Sequence, residues 1–390
     1  MPKYKFLQPY TFQNGVQIKN RIVIPPMTEA SALQDGTISM DELHYFDLHT
    51  GGAGMFIIPV ANVSANGKGF EGEFSVADDK FLPGLKKLSS TVKRNGTKAI
   101  LQIFHAGRMS NSKILRGEPI VSASAVAAKR PNAETPEELT NEEIEQIIED
   151  FGQATRRAIV AGFDGIELHG ANTYLMQQFF SPHSNRRTDK WGGTVDKRMT
   201  FALEIIKKVN QVIKENASSP FIVGYRISPE EIEEPGIRIE DTLKFVEVLA
   251  DQGIDYLHIS MGNAWRTSLN NKDDNEPLIE KIKRQINGRL PLISVGSVET
   301  PQDAEKVMDA GIDFVALGRE SLREPHWVQK VESGQEDAIR YTVALQDYPE
   351  LGINPSFKEF LDMLHTDMHI VGQDVAKDDF KGHLGSLEGN

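Results

Sequence analysis

The chain has 390 residues, ordinary apolar and charged fractions (39% and 25%) and a formal charge of −13 with pI near 5.3. This suits one large folded domain or two ordinary ones, and an acidic chain without a basic stripe is a poor fit for a nucleic-acid partner. It contains no cysteine, which excludes disulfides, thiolate zinc sites, iron–sulfur clusters and a cysteine nucleophile.

The start, MPKYKFLQPYTF, has no apolar signal core, and no stretch approaches the length of a membrane-spanning helix, so the expected location is the cytoplasm, with no membrane partner. YTFQNGVQIKN then reads as a hairpin with Asn14-Gly15 as a two-residue turn, placed to close a barrel floor. Eight short apolar runs follow: RIVIP from Arg21, MFIIPV from Met55, KAILQIF from Lys98, GIELH from Gly165, FIVGYRI from Phe221, YLHIS from Tyr256, LPLISV from Leu290 and FVALG from Phe314. Near-continuous runs of this kind are the pattern of strands buried on both faces of a parallel sheet.

Helical periodicity lies between them. Ile144, Ile147, Ile148, Phe151, Ala154 and Ala158 mark one buried face, and Ala202, Ile205, Ile206, Val209, Val212 and Ile213 another. Thr300-Pro301 is a helix start. Gly162-Phe-Asp, Gly253-Ile-Asp and Gly311-Ile-Asp each precede a strand, so one helix-to-strand joint is reused, with glycine free to close the helix in the left-handed region. Eight alternating units predict a single (β/α)8 TIM barrel over residues 1–335, with an N-terminal hairpin, and a C-terminal extension over 336–390, packed on the barrel or partly disordered. The long loops, roughly 59–81, 105–139, 170–196 and 261–276, all follow strands. A barrel's site lies at that end.

Polar residues gather at these strand ends. Thr28 follows the first strand; Gln102 and His105 lie on and after the third; His169, Asn172 and Tyr174 follow the fourth. Arg226 sits inside the apolar fifth strand, where a charge needs either a barrel carboxylate or an anionic ligand. Gly296-Ser297 and Gly318-Arg319 end the seventh and eighth strands, the usual phosphate corner of such a barrel. His169 and Asn172 can converge as donors on one acceptor that gains negative charge, and the Tyr174 phenol can deliver a proton. Alternatively the three anchor a loop. A zinc hydrolase would want more convergent ligands than His169, His105 and His258 provide, so no metal is expected. In SPHSNRRTDKWGG, Arg187 and Asp189 are placed to pair, Trp191 to pack and Gly192-Gly193 to turn the chain.

Four segments, NRIVIPPMT (20–28), LQIFHAGR (101–108), HGANTYLMQQFFSPHSNRRTDKWGG (169–193) and ALGRESLREP (316–325), resemble the old yellow enzyme family of FMN-dependent ene-reductases over roughly residues 4–333. The resemblance implies bound FMN with NADH or NADPH as hydride donor. By position it places Pro25, Pro26, Met27 and Thr28 along one side of the flavin ring, Ala61 at the ring, Gln102 at its pyrimidine edge and Arg226 at the N1–O2 side. Gly296, Ser297, Gly318 and Arg319 would hold the phosphate. His169 and Asn172 match the pair that binds a substrate carbonyl or nitro oxygen, and Tyr174 matches the proton donor.

The implied substrate is a small molecule with an activated C=C. The alternatives are quinone or nitro-compound reduction, a non-catalytic FMN-binding protein, or a tRNA dihydrouridine synthase, the last disfavoured by the acidic charge and the lack of a cysteine acid. A homo-oligomer is compatible with the sequence. One subgroup of the family carries cysteine where this chain has Thr28, and tyrosine where it has Ala30, so that subgroup's substrate range and flavin potential do not transfer.

Overall fold

The computed structural model describes residues 2–364 and 366–372. Eight parallel strands form a closed barrel: β1 Ile22–Ile24, β2 Met55–Asn62, β3 Lys98–Phe104, β4 Gly165–Gly170, β5 Ile222–Ile227, β6 Tyr256–Ile259, β7 Leu292–Val295 and β8 Phe314–Ala316. The ring closes where β8 pairs β1, Val315 opposite Ile22 and Ala316 opposite Val23. Every predicted run supplies one strand, because each is buried on both faces. Outward residues such as Ile166, Leu168 and Val223 join the layer under the helices, and Val23, Ile100, Ile222, Ile293 and Phe314 fill the interior.

The helices around the ring are held by local signals. Asn141–Val160 starts with a capping box between Thr140 and Glu143, and Pro301–Asp309 with one between Thr300 and Asp303, with proline in its first turn. All six apolar positions named for the first of these are buried. The repeated Gly-x-Asp joints do two jobs. Gly162, Gly253 and Gly311 have φ of 84°, 72° and 75°, where a Cβ is strained. The aspartates Asp164, Asp255 and Asp313 accept the backbone N–H of Ala99, Val223 and Leu292 at 3.0, 2.8 and 3.0 Å. Each joint thereby ties its own strand to the first rung of the preceding strand in the ring.

The N-terminal hairpin pairs Tyr10 with Ile18 and Thr11 with Gln17. Its turn differs from the two-residue form expected. Phe12 N–H donates to Val16 O and Gly15 N–H to Phe12 O, both at 2.9 Å, so the loop is three residues with Gly15 in the left-handed position (φ 91°). The longer loop lets Phe12 turn inward. Its ring stacks on Phe314 at 5.5 Å and lies 6.5 Å from Tyr256, plugging the barrel floor.

The loops at the other end carry structure of their own. Leu175–Phe180 is a buried helix inside the loop after β4. In the loop after β3, Val121–Ser122 pairs Glu137–Glu138. In the same region as the predicted extension, Pro355–Met363 is a helix whose Phe357 is 1% exposed and lies edge-on to Tyr45 at 5.5 Å. Asn354 Nδ2 donates to Ser31 Oγ at 2.8 Å, and Phe360 meets Phe70 at 5.6 Å. The part of that extension from 373 onward lies outside the described residues. No described helix is long and apolar enough to cross a membrane.

Candidate active site

Two rungs of the barrel interior carry polar side chains. On one, Gln102 of β3 is paired with Glu167 of β4, and Glu167 with Gly224 of β5. Gly224 is required there, since a Cβ would lie 2.0 Å from the Tyr256 ring. On the next rung toward the mouth, His169, Arg226 and His258 stand side by side on β4, β5 and β6. All of these side chains are buried.

Among the described residues, Arg226 makes no ion pair with a carboxylate. Its Nε is buried and bonded to nothing among the described residues. Burial lowers the guanidinium pKa, and Glu167 opposes that shift. Glu167 itself is committed elsewhere: its Oε1 accepts from Gln102 Nε2 at 2.6 Å, and its Oε2 lies 3.0 Å from His258 Nδ1. Sequence reasoning did not single out Glu167. The same signal that flagged Arg226, a charge in an apolar strand, was available in GIELH.

His169 is neutral. Burial holds its imidazole well below the usual range, and neighbouring Arg226 adds to the effect. Ala171 N–H donates to His169 Nδ1 at 3.3 Å, so the ring proton sits on Nε2 as a donor. Asn172 lies in the left-handed region (φ 54°), a conformation asparagine tolerates. Its N–H donates to Ser228 Oγ at 3.0 Å, and its Oδ1 accepts from Ser260 Oγ at 2.9 Å. With the amide oxygen used, the NH2 remains as the donor. Tyr174 stands edge-on to His169 (centroids 5.1 Å) and to Phe104 (4.8 Å). Burial pushes its phenol above the ordinary tyrosine range, and the Glu73 charge adds to this, so it stays protonated at neutral pH.

The first and last strands meet at the rim. Pro25 is buried, and Pro26, Met27 and Thr28 are half-buried. Met27 Sδ and Pro25 Cγ each lie 3.7 Å from where a Cβ on Gly318 would sit. Gly318 precedes the short helix Arg319–Arg323. Gly296 has φ 118° and packs so closely on Gly262 that a Cβ would come within 2.4 Å. Ser297 is exposed and donates from Oγ to Gly262 O at 3.1 Å. Ala61 is fully buried just past a register shift in β2. His105 takes a different part: its Nε2 lies 3.2 Å from Asn66 Oδ1 and its Nδ1 accepts from Gly107 N–H at 3.0 Å, so it anchors its loop. Farther out, Arg187 pairs with Asp189 at 2.6 Å and donates to Leu139 O at 2.6 Å. Buried Trp191 donates to Asn141 Oδ1 at 2.6 Å.

The donor set fits a planar, acceptor-rich, anionic group. Among the described residues the buried Arg226 Nε has no partner, Gln102 keeps its amide carbonyl uncommitted to Glu167, and Gly318 packs beside Pro25 and Met27. FMN has those features.

The profile of the NADH:flavin oxidoreductase / NADH oxidase family matches residues 5–338. The chain is 47% identical over 339 residues to the NADH:acrylate oxidoreductase of Vibrio harveyi, which covers 86% of this chain but 34% of that protein. It thus spans about a third of that relative. It is 43% identical to the probable NADH-dependent flavin oxidoreductase YqiG of Bacillus subtilis, covering 88% of this chain and 92% of that one. The solved structure of morphinone reductase superposes with a TM-score of 0.72 at 25% identity, over 86% of this chain and 91% of that one.

Proposed function

This chain belongs to the NADH:flavin oxidoreductase / NADH oxidase family, the old yellow enzymes, and on that premise we propose that it reduces electron-poor alkenes, α,β-unsaturated carbonyls or nitroalkenes, with NADH or NADPH. FMN, when bound, supplies a two-electron hydride carrier between the nicotinamide and the acceptor. Pro25, Pro26, Met27, Thr28 and Ala61 line its place, Gln102 and Arg226 meet its polar edge, and Gly296, Ser297, Gly318 and Arg319 hold its phosphate.

The observation that carries the reading is the triad over the Arg226 rung. His169 Nε2–H and the Asn172 NH2 are two neutral donors that bond no acceptor among the described residues. They bind the substrate's carbonyl or nitro oxygen and stabilise the charge that grows on it. A neutral imidazole suits this role, because it donates without becoming an acid that would protonate the oxygen outright. Tyr174 holds its proton until the substrate carbon becomes basic, then delivers it to the α-carbon. The buried walls, Phe104 among them, keep water from competing for that proton.

A second reading is NAD(P)H-dependent quinone or nitro-compound reduction, in which Tyr174 takes no part. What favours it is that the relative matched over 92% of its length is named as a probable NADH-dependent flavin oxidoreductase with no alkene substrate, whereas the acrylate oxidoreductase is matched over only 34% of its length. The test is purification, identification of acid-released flavin, and nicotinamide oxidation with cyclohexenone or a quinone. Released FAD, or a colourless protein that takes up no FMN, defeats both readings; turnover with quinone alone selects the second.

A further inference from the structure

The mechanism above leaves the carboxylate of Glu167 unused, although it stands in the barrel interior beside Gln102 and His258. Glu167 lies wholly inside the barrel, one rung below Arg226, and its two oxygens have different partners, Gln102 Nε2 at 2.6 Å and His258 Nδ1 at 3.0 Å. A carboxylate only accepts hydrogen bonds, so the Gln102 NH2 must face it, and the Gln102 carbonyl oxygen must face away. His258, whose imidazole burial pushes down toward the neutral form, donates from Nδ1 and leaves Nε2 buried without a partner among the described residues. Glu167 is therefore the charged member of this trio, and its charge acts on Arg226 without a contact ion pair. Such an arrangement costs desolvation that an apolar core would avoid.

We propose that Glu167 is the positioning residue of the cofactor floor: it fixes the Gln102 amide so that the bound flavin meets an acceptor oxygen there, and it supplies the negative charge that balances Arg226. The inference rests on the reading of the barrel mouth as an FMN site. Gln102 is the group that touches the flavin; Glu167 acts through it. Without the carboxylate the Gln102 amide can rotate and offer its NH2 instead. Arg226 would then stand uncompensated, favouring any negative charge that builds on the flavin.

The test uses the full chain freed of flavin and titrated with FMN by fluorescence quenching, then the midpoint potential of the reconstituted protein. Glu167→Gln should weaken FMN binding about tenfold, the size of one hydrogen bond of this kind, and move the potential to more positive values. In a Gln102→Leu background the same change should alter affinity by less than about threefold, because neighbours that act through one another are not additive. Equal affinity and potential in Glu167→Gln and wild type would overturn the proposal, as would a full, additive loss in the double variant. Should Glu167→Gln not fold, Glu167→Asp keeps the charge and shortens the reach. It should bind FMN more weakly at a near-native potential, and native affinity there would overturn the proposal. A wild-type apoprotein that takes up no FMN refutes the site reading itself and this inference with it.

Discussion

Replacing Tyr174 by phenylalanine separates the ring from the proton. The ring is what the structure packs: Tyr174 is 9% exposed, edge-on to Phe104 at 84° and to His169 at 70°. Phenylalanine keeps both contacts. The hydroxyl makes no hydrogen bond among the described residues, so no buried partner is orphaned by its loss, and the stability change should stay within about 0.5 kcal/mol. Its chemical loss is larger. A positioned general acid typically contributes about 100- to 10,000-fold, the lower figure corresponding to about 2.7 kcal/mol of barrier. Tyr174→Phe should therefore bind FMN and oxidise NAD(P)H with a quinone at near-native rates, while cyclohexenone reduction falls at least about 100-fold. Stopped-flow measurement of the two acceptors on the same preparation reads the difference. Because burial raises the phenol above its ordinary range, the wild-type enone rate should show no alkaline loss from this group below about pH 10. Equal loss with quinone and enone would make Tyr174 a binding residue, and loss with neither would mean that the proton comes from elsewhere.

His169→Ala or Asn172→Ala should each cost about 2.7–4 kcal/mol in enone reduction and weaken phenol binding, read by visible difference spectra; unchanged turnover in both would reduce the pair to a loop anchor. Glu42 is buried in Met40–His49, and burial pushes its carboxyl from 4.5 up to about 8. Folding thus holds a proton there, so this contribution to stability is full below about pH 4.5 and lost as pH rises through about 8. Glu42→Gln should flatten the fall in Tm between those values, and a slope identical to wild type would refute the assignment. We propose that the helix Pro355–Met363 holds the predicted extension against the barrel through Phe357. Phe357→Ala should cost about 3–5 kcal/mol in denaturant unfolding, and a change under about 1 kcal/mol would show that the segment adds little.

The amino-acid sequence determined the parts that depend on near neighbours. Apolar runs long enough for a strand and flanked by helical periodicity can be buried only in a covered parallel sheet, and eight of them close a ring. The Gly-x-Asp joints were legible as joints because φ above zero is a local demand. Loop lengths pointed to the working end, and with it His169, Asn172 and Tyr174, while Arg226 stood out as a charge inside an apolar strand. The tertiary structure decided what depends on register between strands. Gln102, Glu167 and His258 lie 65 and 91 residues apart, and only the parallel pairing of β3, β4, β5 and β6 sets them on adjoining rungs. The same holds for the joints' aspartates, whose partners sit on the preceding strand of the ring, and for Phe12, which turns inward only because the barrel floor is there to receive it. A charge in an apolar strand announces a partner, but which partner is a property of the closed barrel.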